Sequence, residues 1–190
     1  MKINKIPKLV LSIIIAEVAG SIGALFTTPA IQSGWYATLV KPAFNPPSSV
    51  FGPMWTVLFA LLGIALFLVW KNDWRIKNPI FTRGRRAWNP LSERLWNGDL
   101  QKQNIVALFS IQYILNILWS VVFFGSTSLT INGLNNIGLA FVVLLTLWCS
   151  IVFLIVNFYR VSKVAAWLLV PYLLWVSFAG VLNYAIWVLN

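Results

Sequence analysis

Five long apolar runs, each bounded by charged residues, proline or glycine, dominate the pattern of hydrophobic and polar positions. A helix needs about 20 mostly apolar residues to cross the roughly 30 Å hydrocarbon core of a bilayer. The five runs have about that length and cover residues 9–26, 50–70, 105–124, 134–158 and 164–189. The pattern therefore predicts an all-α integral membrane protein, a bundle of five transmembrane helices.

Composition excludes a water-soluble protein. Of the 190 residues, 59% are hydrophobic and only 9% are charged, whereas an ordinary soluble domain has roughly 25% charged residues. The first run also resembles a signal peptide because lysines precede it, but it is long and carries Glu17 in its middle, so we expect it to be retained. With no soluble segment, low-complexity tail or internal repeat, we expect one membrane domain over residues 1–190.

The positive charges lie between the apolar runs and predict the orientation. Fourteen Lys and Arg against four Asp and Glu give a net charge of +10, which on a soluble protein would indicate nucleic acid. Here thirteen of the cations precede the first run or lie in residues 71–102 or at Arg160 and Lys163, and only Lys41 lies elsewhere. The positive-inside rule then predicts a multi-pass protein of the cell membrane, with the N-terminus cytoplasmic and the C-terminus outside. We expect no nucleic-acid partner, and anionic lipids as partners of the basic loop 71–102 at the cytoplasmic face.

Metal and redox chemistry have little support in the sequence. The chain has no His, and its one cysteine, Cys149, lies within an apolar run. A disulfide within the chain is therefore impossible, and thiolate or imidazole metal sites have no ligand set. We expect Cys149 to be a buried structural residue and expect no cofactor.

Two amides stand near the middle of the third run. Gln112, Asn116 and Trp119 share one helical face. Because an amide is unfavourable against lipid, this face should point into the bundle. There the amides either hydrogen-bond a neighbouring helix or contact a ligand, and the pattern leaves both open.

The last run carries a stripe that could line a pocket. Trp175, Ala179 and Leu182 share one face, which sets an aromatic ring beside a small residue and an aliphatic one. Pro171 removes a backbone hydrogen bond and predicts a kink, which either opens a cavity or is a packing feature.

Glu17 is an acid in the middle of the first run. Placing a comparable acid at the centre of a membrane helix costs roughly 2.5 to 3.5 kcal/mol. It is either a proton-sensing or cation-contacting group on a pocket wall, or a neutral acid hydrogen-bonded to another helix. Ala16, Gly20 and Ala24 recur every four residues nearby and favour close helix packing within the bundle over a dimer seam.

Three motifs resemble those of the TspO/MBR family, the tryptophan-rich sensory and translocator proteins. Residues 35–56 read WYATLVKPAFNPPSSVFGPMWT, which is similar almost throughout to the family signature WYxxLxKPxxxPPxxVFGPxWT. Residues 112–120 read QYILNILWS and are followed by FFG, and residues 171–179 read PYLLWVSFA and are followed by LN. These resemble the family's QxxLNxxWS…FFG and PYLxWVxFAxxLN, in the family's order along the chain.

The resemblance implies a membrane receptor or sensor-type protein that binds porphyrins or similar flat hydrophobic ligands, with a role in tetrapyrrole trafficking or regulation. Family members are often dimers, so a homodimer is implied as well. The ligand-binding positions that we predict are Tyr36, Phe51, Trp55, Gln112, Asn116, Trp119, Trp175, Phe178, Ala179 and Leu182.

Two other functions remain open. One is an enzyme for light- and oxygen-dependent porphyrin breakdown, in which the indoles of Trp55 and Trp175 would react. The other is a small-molecule transporter, which has less support because the runs contain no repeat and no chain of ionisable residues. No acid/base pair or nucleophile triad indicates ordinary catalysis, so a binding protein is expected rather than an enzyme.

The segment before the second run is stiff. Pro42, Pro46 and Pro47 fix φ and push the residues before them toward extended conformations. The segment is either a lid over the outer mouth of the bundle or a plain connector.

Overall fold

The computed structural model describes residues 5–71, 98–125, 130–131 and 133–190. The helices are α1 (Lys5–Gln32), α2 (Trp35–Thr38), α3 (Ser48–Lys71), α4 (Gly98–Ser120), α5 (Asn136–Val161), α6 (Lys163–Leu168) and α7 (Val170–Leu189). A π-helical turn, Val121–Gly125, continues α4, and Thr130–Ile131 (β1) pairs antiparallel with Leu134–Asn135 (β2). The predicted basic loop 71–102 lies largely outside the described residues.

Among the described residues, five helical segments of 24 to 27 residues are long and apolar enough to cross a membrane. They are Ile6–Gln32, Ser48–Lys71, Gln101–Gly125, Asn136–Val161 and Lys163–Leu189, each containing most of one predicted run. The prediction of an all-α, five-helix membrane bundle is confirmed.

The helix ends differ from the ends of the apolar runs because local hydrogen bonds set them. The fourth run was predicted from residue 134, but residues 134–135 pair with β1 and α5 begins at Asn136. Asn135 caps it, since its side-chain oxygen accepts from the Gly138 amide at 2.9 Å. The fifth run divides at Leu169, two residues before Pro171, into α6 and α7.

Three layers of buried side chains follow the bundle axis. α1 packs against α3 and α4, and α5 packs against both α4 and α7. The layer nearest the start of α1 contains Leu62 and Phe158, the middle layer contains Leu147 and Tyr172, and the last contains Phe123. This last layer lies at the end where α1 and α7 finish, which we call the Asn190 end.

Small residues bring α1 and α3 together. A methyl group on Gly63 of α3 would lie 2.5 Å from the Ile13 Cα atom, so the two backbones touch there. Ala16 is fully buried, and a methyl on Gly20 would lie 2.8 Å from the Phe59 ring. In the described part of the chain, these two small residues of α1 therefore serve packing within the bundle.

Cys149 corrects one expectation. It is exposed on α5, beside the exposed residues Leu145 and Trp148, so the prediction of a buried structural cysteine is wrong. In a membrane helix the lipid-facing side is as apolar as the core, and an apolar run therefore does not show which face is packed.

Candidate functional site

A cavity of about 460 Å³ lies between α1, α3, α4 and α7, in the half of the bundle toward the Asn190 end. This volume falls within the roughly 300–1,000 Å³ of small-molecule sites. On α1 the wall begins at Glu17 and ends at Ile31, a distance of about 21 Å at the 1.5 Å rise of a helix. The cavity therefore extends from the Asn190 end to about the middle of the membrane.

Aromatic rings cover much of the wall. Phe51, Trp55 and Phe59 recur every four residues on α3, so they share one face. Trp55 stacks on Phe59 with ring centroids 5.4 Å apart. Next to it on the wall, the Trp119 ring lies 6.4 Å from Trp55 at an interplanar angle of 39°. The result is an apolar wall built largely from flat faces.

A buried amide holds the Trp119 ring. The Trp119 Nε1 atom donates to the Asn183 Oδ1 atom at 3.0 Å, and Asn183 Nδ2 donates to the Ile137 carbonyl at 2.9 Å. Asn183 is only 2% exposed. These bonds join α4, α5 and α7 and fix the indole before any ligand arrives.

About one turn of α4 before Trp119, a chain of polar groups joins α4 and α7. Asn116 Nδ2 donates to the Tyr172 hydroxyl at 3.0 Å, and that hydroxyl donates to Gln112 Oε1 at 3.1 Å. Both amides thus make interhelical hydrogen bonds, the first of the two roles left open by the sequence. Asn116 also borders the cavity, whereas Gln112 does not.

Seven of the ten predicted ligand positions border the cavity: Tyr36, Phe51, Trp55, Asn116, Trp119, Ala179 and Leu182. In the part of the chain that the structure describes, Gln112 does not border the cavity. Trp175 contacts the wall residue Phe51, with centroids 6.0 Å apart, without bordering the cavity itself. Phe178 packs on Trp175 at 5.5 Å and on Phe44 at 6.4 Å. A direct ligand contact by any of the ten stays a prediction.

On the α1 side of the wall, the sequence suggested only Glu17 as a possible wall residue and did not predict the others. Glu17, Gly20, Ser21, Ala24 and Thr28 border the cavity at helical spacing of three or four residues. A stripe of small and polar residues in an otherwise apolar helix was the available signal. The family motifs lie on other segments and do not include this stripe.

Residues 39–47, which we call the lid segment, connect α2 to α3 at the Asn190 end of the cavity, which we call its mouth. The Val40 amide donates to Asn190 Oδ1 at 2.9 Å, and Asn190 Nδ2 donates to the Val40 carbonyl at 3.0 Å. This reciprocal pair fastens the segment to the end of α7. The segment is therefore held in place, and its role as a lid stays a prediction.

Tyr36 joins the lid segment to the cavity. Its hydroxyl donates to Asn45 Oδ1 at 3.2 Å, and Lys41 Nζ lies 4.7 Å from the centroid of its ring. Burial raises the pKa of Tyr36 above its ordinary value of 10.0. The phenol is therefore neutral at the mouth, with a lysine cation over its face.

Fold and site together define a five-helix membrane protein with an aromatic cavity of ligand size. The chain belongs to the TspO/MBR family, whose model matches residues 12–188, and the resemblance of the three motifs is thereby confirmed. It is 41% identical to the tryptophan-rich protein TspO of Chlorobaculum tepidum over 188 residues, 98% of each chain. It is 38% identical to that of Archaeoglobus fulgidus over 183 residues, 96% of this chain and 97% of that one. It is 32% identical to the human translocator protein over 154 residues, 80% of this chain and 73% of that one.

Proposed function

We propose that the protein is a membrane receptor or sensor that binds porphyrins or similar flat hydrophobic molecules in this cavity, with a role in tetrapyrrole trafficking or regulation. The observation that carries the proposal is the pair of indoles, Trp55 and Trp119, which both border the cavity with centroids 6.4 Å apart. A flat π-system stacks on such faces, and each contact contributes about 0.5–1.5 kcal/mol beyond the burial of area.

The fixed wall favours a rigid ligand. Because Asn183 holds the Trp119 ring and Phe59 stacks on Trp55, binding immobilises few side chains, and preorganisation of this kind improves affinity. The chain has no His, so recognition of a porphyrin would rest on its faces and edges rather than on an imidazole bound to its metal. Gln112, Trp175 and Phe178 would support the wall from behind.

The setting of the protein completes the proposal. It is a multi-pass membrane protein, and we place it in the cell membrane with the N-terminus cytoplasmic and the C-terminus outside. The cavity would then open toward the outer face. Anionic lipids at the cytoplasmic face and a homodimer are also proposed, on the charge distribution and on the family resemblance respectively.

A second candidate function is porphyrin breakdown driven by light and oxygen. The observation in its favour is again an indole at the cavity, since Trp55 lies where it would touch a bound porphyrin. Trp175, the other indole predicted to react, does not border the cavity in the described structure, so Trp55 would carry this chemistry.

The test is a titration of the purified protein in detergent with protoporphyrin, followed by its Soret absorption in darkness. Saturable binding is expected, and Trp55→Phe and Trp119→Phe should each raise Kd about two- to tenfold. Trp167→Phe is the matched control, because Trp167 is 67% exposed on α6 and should leave Kd unchanged. Absence of saturable binding would overturn the porphyrin assignment.

The same samples then distinguish the two candidates under illumination. A loss of Soret intensity that requires oxygen and Trp55 would favour the enzyme. Unchanged porphyrin recovered from the illuminated complex would favour the receptor.

A further inference from the structure

The inner end of the cavity carries a lone carboxyl group, that of Glu17. Among the described residues that border the cavity, Glu17 and Tyr36 are the only ones with an ionisable side chain, and they lie at opposite ends. We infer that Glu17 gives the inner end of the cavity a preference for positively charged groups, so that among flat ligands of similar size the site favours aromatic amines, with the ammonium group against this carboxylate. The inference rests on the proposed function, because it assigns a ligand class to the same cavity.

The Glu17 carboxyl group has no partner among the residues that the structure describes. The Ser21 hydroxyl lies one turn away but donates to the Glu17 backbone carbonyl at 3.2 Å. No described side chain forms a hydrogen bond or an ion pair with the carboxylate. The alternative of an acid hydrogen-bonded to another helix therefore has no support in this part of the chain.

Three hydroxyl groups of the wall form hydrogen bonds within their own helices. Like Ser21, Thr27 and Thr56 each donate to the carbonyl four residues earlier, those of Gly23 and Gly52, at 3.1 and 3.2 Å. Such bonds within one helix satisfy these donors without a ligand. The Glu17 carboxylate is thus a strong hydrogen-bond acceptor that has no donor among the described residues. A cationic ligand would supply both a donor and the opposite charge.

The energetics favour a cation at this position. An acid at the membrane centre is unfavourable unless it is protonated, hydrated or paired. An ammonium group provides an opposite charge in surroundings that screen it far less than bulk water does. Removing one partner of such a pair leaves the other charge uncompensated, so the cost should appear directly in the affinity.

Aromatic rings surround the same end of the cavity. A methyl group on Gly20, three residues from Glu17, would lie 2.8 Å from the Phe59 ring, so that ring stands beside the Glu17 turn of α1. Trp55 stacks on Phe59 and continues the aromatic surface toward the mouth. A cation against the carboxylate would therefore also lie close to ring faces, which attract it through their quadrupoles.

The opposite charge stands at the mouth. Lys41 Nζ lies over the Tyr36 ring and donates to the Leu39 carbonyl at 3.0 Å. The cavity thus has an acid at its inner end and a cation near its mouth. Positive groups of a ligand are drawn inward, and carboxylates, such as those of a porphyrin, are directed toward the lid segment.

Matched flat probes in neutral detergent test the inference. The probes are aminoacridinium, a three-ring cation, its uncharged counterpart anthracene, and the anion anthracene carboxylate. Binding is measured by quenching of tryptophan fluorescence in wild type and in Glu17→Gln, which keeps the size of the side chain. We expect aminoacridinium to bind wild type tighter than the anion, and Glu17→Gln to raise its Kd about tenfold or more. The Kd of anthracene should change less than about twofold.

Asp99→Asn is the control variant, because it removes the same charge from the first turn of α4 rather than from α1. This variant should change neither the Kd of aminoacridinium nor that of anthracene. An unchanged Kd of aminoacridinium in Glu17→Gln would overturn the charge selectivity even if anthracene binds. If anthracene shows no saturable binding while aminoacridinium binds through Glu17, the apolar part of the proposed function fails and the charge selectivity stands. Failure of all three probes to bind overturns both.

Discussion

Single residues decide whether the cavity wall is rigid, and Asn183 shows this most clearly. Its two hydrogen bonds hold the Trp119 indole of α4 and a carbonyl of α5 from a position on α7. The sequence contains Asn183 as part of a family motif, yet nothing in the motif shows which partner the amide takes. That partner is a tertiary contact between residues 64 positions apart, which helical periodicity cannot predict.

Asn183→Leu should lower the free energy of unfolding by about 1–3 kcal/mol, because it leaves the buried Trp119 N–H without an acceptor. The control is Asn157→Ala. Asn157 is partly exposed, and among the described residues its side chain donates only to the Phe153 carbonyl of its own helix, so its loss should cost less than about 0.5 kcal/mol. Equilibrium unfolding in mixed micelles measures both. Equal losses would show that the Asn183 bonds do not stabilise the bundle.

Tyr36 gives the mouth a dependence on pH. Its pKa is raised above 10.0 by burial, so the folded state favours the neutral phenol. The stability that this preference contributes is fully present below about pH 10 and is lost as pH rises through the raised pKa.

We therefore expect the melting temperature of wild type to fall faster than that of Tyr36→Phe above about pH 10. Below that pH the two curves should run parallel, with wild type higher by the contribution of the hydrogen bond to Asn45. Thermal scans across the alkaline range provide the measurement. If the two melting temperatures differed by the same amount at every pH, the pKa of the Tyr36 phenol would be the same in the folded and unfolded states, which would contradict this prediction.

Helical elements were the part of the fold that the sequence predicted best, and their contacts were the part that it predicted least. Long apolar runs gave five spans because length and hydropathy are properties of one segment. The ends of α5 and the division between α6 and α7 needed the Asn135 cap and the break at Leu169, which depend on local hydrogen bonds. The α1 wall of the cavity depends on how α1 rotates against α3, and periodicity alone does not fix that rotation.

The contact between α1 and α3 leads to a prediction for Gly63. A methyl group there would meet backbone atoms of Ser12 and Ile13 at 2.5 to 3.0 Å. Since a backbone cannot move aside as a side chain can, Gly63→Ala should destabilise the protein by about 1–3 kcal/mol. Gly52→Ala is the matched control on the same helix, because a methyl group there has no neighbour within 4 Å. It should be neutral or slightly stabilising. A lower melting temperature for Gly52→Ala than for Gly63→Ala would contradict this packing.

At the scale of the whole molecule, the five spans found in the described residues would place the two ends of the chain on opposite sides of the membrane. The charge distribution that predicts the orientation rests largely on residues 71–102, most of which lie outside the described structure. The extent of the single domain over residues 1–190 likewise stays a prediction. The cavity occupies the Asn190 half of the bundle, so the orientation also decides from which side a ligand enters.

Fusions to the C-terminus test the orientation in bacterial cells. Alkaline phosphatase, which is active only after export, should be active when it follows Asn190. Green fluorescent protein at the same site should stay dark, and at the N-terminus it should fluoresce. The opposite pattern would place the cavity mouth on the cytoplasmic side.

Filling the cavity tests the central claim most directly. Ala24 borders it, whereas Val18, on the same helix, is 42% exposed and lies outside its wall. Protoporphyrin titrations should show saturable binding to wild type and to Val18→Phe. Ala24→Phe should lose this binding while it keeps the melting temperature of wild type. Binding to Ala24→Phe with the Kd of wild type would show that the porphyrin occupies another site, and the account of this cavity as a ligand site would be wrong.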